Sequence, residues 1–236
     1  FIQRSKGYLT RPTLSVDTIG EIISFVKARS SAYVMVDNCY GEFTETKEPV
    51  AMGADLMAGS PIKNPDGGKA ECGGYLCGTK KAVELASYRM TTVGVGAEGG
   101  ASLGQNKSIL KGFFYAPHTV KEAVKTAIFA SKIFEELGFR AEPASTATRH
   151  DIIEAIYLGD PELLCAFCRG IQWASPIGSY VTPQPWDMPG YSDKVIMAAG
   201  AFTSGSSIEL SADGPLRPPY IAYLQGGLTY ESGRLG

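Results

Sequence analysis

The stretch that decides the fold reads VDNCYGEF over residues 36–43 and AGSPIKNPDGG over residues 58–68. In each half, a short apolar run ends in a loop rich in Asn, Asp, Gly or Pro, and such runs are typical of buried strands. Asp37 follows the first run and Lys63 follows the second. The separation between them leaves room for one loop or crossover and a neighbouring strand.

The residues before this stretch predict a strand–helix–strand unit. They read, in order, as strand and turn Ile2–Tyr8, capping residue Ser15, helix Val16–Arg29 and strand Tyr33–Val36. Two strands joined by a helix pair in parallel through a right-handed crossover. Because ligands of α/β proteins bind at the carboxyl ends of parallel strands, Asp37 is predicted to lie at a ligand-binding edge.

The lysine and the acid suggest a particular chemistry. A lysine at the mouth of a buried strand is partly desolvated, which frees its amine to attack a carbonyl carbon. Lys63 would suit a Schiff base with pyridoxal 5'-phosphate (PLP), and the Asp37 carboxylate would keep the pyridine nitrogen of that cofactor protonated. The Ser60 hydroxyl could donate to a phosphate oxygen. The plainer alternative is a solvated loop lysine, a turn-capping aspartate and a serine bonded to its own backbone.

The same residues resemble a known family. V-D-N-x-Y, with Ser-x-x-Lys one strand later, is similar to the cystathionine and methionine gamma-lyases, which are fold-type-I PLP enzymes. GADLMAGSPIKNP, and SIELSAD followed by PYIAYLQGGLTYE, resemble one bacterial branch more closely. This branch comprises the methionine gamma-lyase-like or aluminium resistance proteins, which carry the name cystathionine beta-lyase. The resemblance covers essentially the whole chain.

The resemblance implies an α/β fold of the fold-type-I class. Residues 1–116 would form part of a large PLP-binding domain with a mostly parallel sheet, and residues 117–236 a linking helix and a small α+β domain. The glycine-rich phosphate loop and the ring-stacking aromatic residue of the family are not recognisable, and Phe1 opens inside a predicted strand. We therefore expect the C-terminal portion of a longer enzyme. A homodimer or homotetramer is implied by resemblance alone.

Further site residues follow from their position beside these motifs. Tyr40 and Asn64 are candidates for the cofactor pocket, as is Asn38. Arg217 precedes the last strand, where related enzymes bind the substrate carboxylate with an arginine, whose planar fork suits bidentate bonding. The alternative for Arg217 is a surface salt bridge.

The resemblance implies a PLP-dependent carbon–sulfur lyase that acts on a sulfur amino acid by beta- or gamma-elimination. The same lysine and aspartate also support transamination or aldol cleavage, because the bond that breaks depends on its alignment with the cofactor ring. A non-catalytic stress protein that keeps the fold is the alternative from a different class.

The amino-acid composition limits the classes of protein to which the chain can belong. The chain has 236 residues, of which 44% are hydrophobic and 19% charged, with a net charge of −2. This is typical of a soluble globular protein and gives no electrostatic reason to expect nucleic acid binding. No apolar run approaches the roughly 20 residues that span a bilayer. The five scattered cysteines favour reduced thiols and a cytoplasmic location.

Three weaker patterns have plainer interpretations. Gly94–Gly99 matches G-x-G-x-x-G, but a lone match is weak evidence for a dinucleotide site and favours a loop. Cys165 and Cys168 lie on a helical pattern without a second ligand pair, so packed thiols are favoured over zinc or a redox pair. His118 and His150 are isolated. We predict no metal site.

The rest of the chain gives further predicted elements. Strands are predicted over Ala54–Ser60, Gly73–Gly78, Lys194–Ala199, Ser207–Ser211 and Tyr220–Gln225. Helices are predicted over Lys80–Tyr88, part of Glu98–Lys111, Thr119–Leu137 after a capping box, Arg149–Tyr157 and Pro161–Ile171.

Overall fold

The first sheet carries both halves of the deciding stretch. The computed structural model describes residues 1–100 and 102–236. The sheet has the order β1-β2-β3-β4, with β1 paired parallel to β2, β2 parallel to β3 and β4 antiparallel to β3. Its strands are β1 (Ile2–Gln3), β2 (Met35–Asp37), β3 (Leu56–Gly59) and β4 (Tyr75–Gly78).

Helix α1 (Val16–Lys27) connects β1 to β2 and confirms the predicted strand–helix–strand unit. The Ser15 hydroxyl accepts a hydrogen bond from the Thr18 backbone N–H at 3.0 Å, which caps the first turn. Ile19 and Ile23 lie in one cluster with Val36 of β2. Because β1, β2 and β3 run parallel, their carboxyl ends meet at one edge of the sheet.

Helix α3 (Asn106–Glu136) follows β4 and helix α2 (Lys80–Met90) and leads to the second sheet. The prediction that a capping box at Thr119 begins this helix was wrong, because the helix starts earlier and continues through Pro117. A proline inside a helix removes one backbone hydrogen bond and crowds the carbonyl four residues earlier, yet α3 continues on both sides of Pro117. Thr119 is buried and its hydroxyl donates to the Gly67 carbonyl at 3.4 Å. The predicted domain boundary near residue 116 falls inside α3 and stays a prediction.

The second sheet is antiparallel, with the order β5-β6-β9-β8-β7. Its strands are β5 (Arg140–Glu142), β6 (Glu154–Tyr157), β7 (Val195–Ala198), β8 (Ser211–Pro215) and β9 (Ile221–Gln225). Helix α4 (Pro161–Trp173) packs on one face through Leu164 and Cys168, and α5 (Tyr230–Leu235) ends the chain.

Two predicted elements of this half were wrong. Residues 149–157 were predicted as a helix, but they form a loop and then β6, whose run of buried residues fits either structure when read alone. The predicted strand Ser207–Ser211 lies too early, because β8 continues through Gly214 and Pro215. Gly214 is needed there, since a Cβ would lie 2.3 Å from the Ile221 carbonyl oxygen.

Two global features complete the description. Each of the five cysteines is a free thiol. Among the helices of the described residues, none has the length and apolar character that crossing a membrane requires.

Candidate active site

Asp37 and Lys63 lie after neighbouring parallel strands. Asp37 ends β2 and pairs in register with Ala58 of β3, and Lys63 lies in the turn that follows β3. The Lys63 backbone N–H donates to the Ser60 carbonyl at 3.1 Å, which closes this turn. The structure thus brings Asp37, Ser60 and Lys63 to the same edge of the sheet.

Asp37 and Lys63 both lie near Cys39, the second residue after β2. Asp37 Oδ1 accepts a hydrogen bond from the Cys39 backbone N–H at 3.1 Å. Burial raises the pKa of the Cys39 thiol to about 12, an effect that the Lys63 charge opposes and the Asp37 charge reinforces. Both Lys63 and Asp37 are half-buried.

Tyr40 lies between Lys63 and the second sheet. Lys63 Nζ is 5.1 Å from the centroid of the Tyr40 ring, a distance that suits a cation–π contact. The Tyr40 backbone has a φ of 70°, in the left-handed region that non-glycine residues seldom adopt. Burial raises the pKa of the Tyr40 hydroxyl.

Asn64 ties the lysine turn to the loop after Asp37. Its side chain is fully buried, and Nδ2 donates to the carbonyls of Tyr40 and Glu42, both at 2.9 Å. Its Oδ1 is buried and has no partner among the residues described. Asn38 is used elsewhere, since it bonds Arg4 and Glu48. Asn64 thus ties the turn that carries Lys63 to the loop that follows β2.

A carboxylate that sequence reasoning missed faces this site from the second sheet. Asp213 lies in the middle of β8, and its Oδ2 accepts hydrogen bonds from the hydroxyls of Tyr8 at 2.7 Å and Ser206 at 3.1 Å. Burial raises the pKa of Asp213 to about 6, against these hydrogen bonds and the Lys63 charge. Asp213 is the last residue of the SIELSAD motif but lies beyond the predicted strand Ser207–Ser211, whereas the structure places it inside β8, whose five residues are all buried.

Arg217 lies next to Tyr8, the residue whose hydroxyl donates to Asp213. Its guanidinium donates to the Tyr8 carbonyl at 2.9 Å and pairs with Asp193 at 3.2 Å, and its side chain is 41% exposed. It borders a small cavity of about 140 Å³ together with Tyr8 and Tyr223. The role that the sequence suggested for Arg217, binding a substrate carboxylate, stays a prediction.

Two other sequence patterns lie away from the Lys63 loop. Gly94–Gly99 follows helix α2 rather than a strand, so it lacks the context of a dinucleotide site. Cys168 is fully buried in the core of the second sheet, and Cys165 packs against the same cluster.

The comparisons with known proteins agree on one family. The family model described as Methionine gamma-lyase matches residues 1–236. The uncharacterized protein YnbB of Bacillus subtilis is 56% identical over 230 residues, which are 97% of this chain and 55% of that protein. The chain thus spans about half the length of this curated relative.

Solved structures share the fold. A Clostridium acetobutylicum protein, provisionally named a cystathionine beta-lyase involved in aluminium resistance, has a TM-score of 0.93 and 49% identity, over 99% of this chain and 54% of that one. A methionine gamma lyase of Micromonospora echinospora has a TM-score of 0.57 and 17% identity, over 99% and 61%. The fold is that of the fold-type-I PLP-dependent enzymes. With the family model matching every residue, this chain belongs to the methionine gamma-lyase family.

Proposed function

We propose that this chain carries the lysine and the carboxylate of a PLP-dependent carbon–sulfur lyase that acts on a sulfur amino acid. One observation carries the proposal: Asp37 ends β2 and Lys63 follows β3, so both residues lie at the carboxyl ends of two adjacent parallel strands. An amine and a carboxylate at one such edge suit the aldehyde and the pyridine nitrogen of the same small aromatic cofactor. The family of the chain supports the same reaction class.

The residues present fit PLP in their chemistry. Lys63 offers a primary amine for the aldehyde, and Asp37 offers an acceptor for the protonated pyridine nitrogen. Ser60 is partly exposed at the same edge, where its hydroxyl can donate to a phosphate oxygen. Ser60 and the Tyr40 ring would hold the phosphate and one side of the cofactor, and Asn64 would hold the Lys63 turn in place. When bound, PLP supplies an electron sink for charge that develops at Cα.

The side chains of this chain would then move protons and orient the amino acid. The Lys63 amine removes the proton from Cα and delivers a proton to the departing sulfur. Asp37 keeps the pyridine nitrogen protonated, and Arg217 orients the carboxylate. The Cα–H and C–S bonds break, the sulfur leaves as a thiol, and hydrolysis of the remaining enamine gives a keto acid and ammonia.

Release of keto acid tests this proposal. The chain with added PLP is incubated separately with L-cystathionine, L-methionine and L-cysteine, and keto acid is measured over time. We expect release from at least one of them, loss of release in Lys63→Ala, and retention in Lys81→Ala, which changes an exposed lysine of α2. Equal release by Lys63→Ala and the unchanged chain would contradict the proposal.

A further inference from the structure

Asp213 is a buried carboxylate without a cationic side chain to pair with. It is 6% exposed, and within residues 1–100 and 102–236 it forms no ion pair with lysine, arginine or histidine. Both hydrogen bonds that it accepts, from Tyr8 and Ser206, go to Oδ2. Its Oδ1 is therefore open to a further donor.

The surroundings of Asp213 place it on the Lys63 site. Tyr8, whose hydroxyl donates to Asp213, packs with Tyr40 on one apolar cluster of the second sheet. The Lys63 ammonium stands over the ring of the same Tyr40, 5.1 Å from its centroid. A series of neighbouring groups thus runs from Lys63 through Tyr40 and Tyr8 to Asp213, from the first sheet to the second.

The groups around Asp213 favour the binding of an alkylammonium ion. A buried carboxylate is costly to ionise unless a cation or several donors compensate it. The neighbouring groups are aromatic, since the Tyr8 ring lies 5.3 Å from those of Tyr191 and Tyr223. Aromatic faces beside a carboxylate attract an organic cation and exclude water from it. An anionic or apolar side chain would leave the open oxygen without a partner.

We propose that Asp213 is a specificity-determining residue of the Lys63 site, and that it binds a cationic nitrogen in the side chain of the substrate. The proposal rests on the proposed function and deepens it. The preferred substrates are sulfur amino acids that carry a second basic nitrogen beyond the sulfur, and neutral thioethers such as methionine are poor substrates. Asp213 could instead compensate only the Lys63 charge, in which case its removal would affect all substrates equally.

Two nearly isosteric probes separate these roles. S-(2-aminoethyl)-L-cysteine ends in an ammonium group where S-propyl-L-cysteine ends in a methyl group. With PLP, we expect kcat/KM for keto acid release to favour the aminoethyl probe by about tenfold or more, because a hydrogen bond to a charged group contributes at least that much. Asp213→Asn, which keeps an acceptor for Tyr8 and Ser206, reduces this ratio to about one, mainly by loss with the aminoethyl probe.

A matched control is Glu209→Gln, which changes another buried carboxylate that bonds the Thr203 backbone N–H just before the same strand. It should keep the preference of the unchanged chain. Circular dichroism of each variant verifies that it folds. No preference in the unchanged chain, or an equal loss with both probes in Asp213→Asn, overturns the proposal.

Binding without turnover separates this inference from the lyase proposal. Calorimetric titration of the PLP-free chain should show tighter binding of the aminoethyl probe than of the propyl probe, and Asp213→Asn should remove the difference. If this holds while neither probe releases keto acid, the lyase proposal fails and the ammonium site stands. Equal binding of the two probes, or binding of neither, overturns the ammonium site.

Discussion

Asp37 has a structural role in its own loop that does not depend on its negative charge. One carboxylate oxygen accepts the Cys39 backbone N–H at 3.1 Å, which fixes the turn after β2. An asparagine can accept the same hydrogen bond through its carbonyl oxygen but carries no charge. Substitution at this position can thus remove the charge and leave the turn.

We predict that Asp37→Asn retains PLP but lowers keto acid release by roughly 100-fold or more, since the uncharged side chain no longer keeps the pyridine nitrogen protonated. The measurement is kcat under saturating PLP, with cofactor content read from absorbance. Full activity in Asp37→Asn would show that the carboxylate has no such role.

Glu42 illustrates the cost of burying an acid. It is 4% exposed, Oε1 accepts the Tyr75 hydroxyl at 2.7 Å, and Oε2 is buried without a partner among the described residues. Burial raises the pKa of Glu42 to about 8. Because the folded pKa lies above the ordinary value near 4.5, ionisation opposes folding, and stability is lost as the pH rises from about 4.5 to 8.

We predict that Glu42→Gln raises the free energy of unfolding by about 2 kcal/mol at pH 9 and changes it little at pH 4, where the acid is protonated in both states. Urea unfolding at both pH values measures the difference. A gain of the same size at both pH values would show that burial of charge is not its source.

At the scale of elements, sequence patterns predicted a helix or strand correctly where nearby residues mark its ends. The Ser15 cap and the isoleucines at helical spacing identified α1, and loop residues marked the ends of β2 and β3. The β6 region failed because Ile152, Ile153, Ala155 and Ile156 are all buried, so neither a period of two nor one of 3.6 is visible. Only its pairing with β5 and β9 makes it a strand.

The same region holds a buried ion pair. Arg149 Nη1 contacts Glu154 Oε2 at 2.5 Å, with the two side chains 4% and 0% exposed. Arg149 also donates to the Pro143 carbonyl at 3.2 Å, which fixes the loop before β6. Removal of one partner leaves the other charge buried and unpaired.

We predict that Arg149→Met lowers the free energy of unfolding by about 3 kcal/mol, and that Arg149→Met with Glu154→Leu recovers most of the loss. A double-mutant cycle by urea denaturation tests this coupling. A double variant as unstable as Arg149→Met would mean that packing around the arginine, not the unpaired acid, sets the cost.

At the scale of the whole molecule, the site depends on contacts that no local pattern encodes. Lys63 and Asp37 were found because each ends a strand within one short stretch. Asp213 and Tyr8 were missed, because only the docking of the second sheet brings them beside Tyr40. The turn from Ser60 to Lys63 is formed by residues that are close in sequence. The opposite side of the site is formed by Tyr8 and Asp213, which are far apart in sequence.

The first half of α3 exposes a patch of apolar side chains. Leu110 is 71% exposed, Phe113 57% and Phe114 79%. Contiguous exposed apolar surface commonly marks an interface between proteins. This patch supports the expectation of a homodimer or homotetramer.

We predict that the chain self-associates, and that Leu110→Ser with Phe114→Ser lowers its mass toward that of the monomer at equal concentration. Size-exclusion chromatography with light scattering measures the mass, and circular dichroism verifies the fold. A monomeric unchanged chain at every concentration would contradict the expectation.

The central claim is that Lys63 and Asp37 lie at opposite ends of one bound PLP ring. Borohydride reduction of the chain after incubation with PLP, followed by peptide mass spectrometry, tests it most directly. We predict a reduced cofactor on the peptide that contains Lys63, absent from Lys63→Ala and retained in Lys81→Ala. A label on other lysines alone, or no label after reduction, would contradict it.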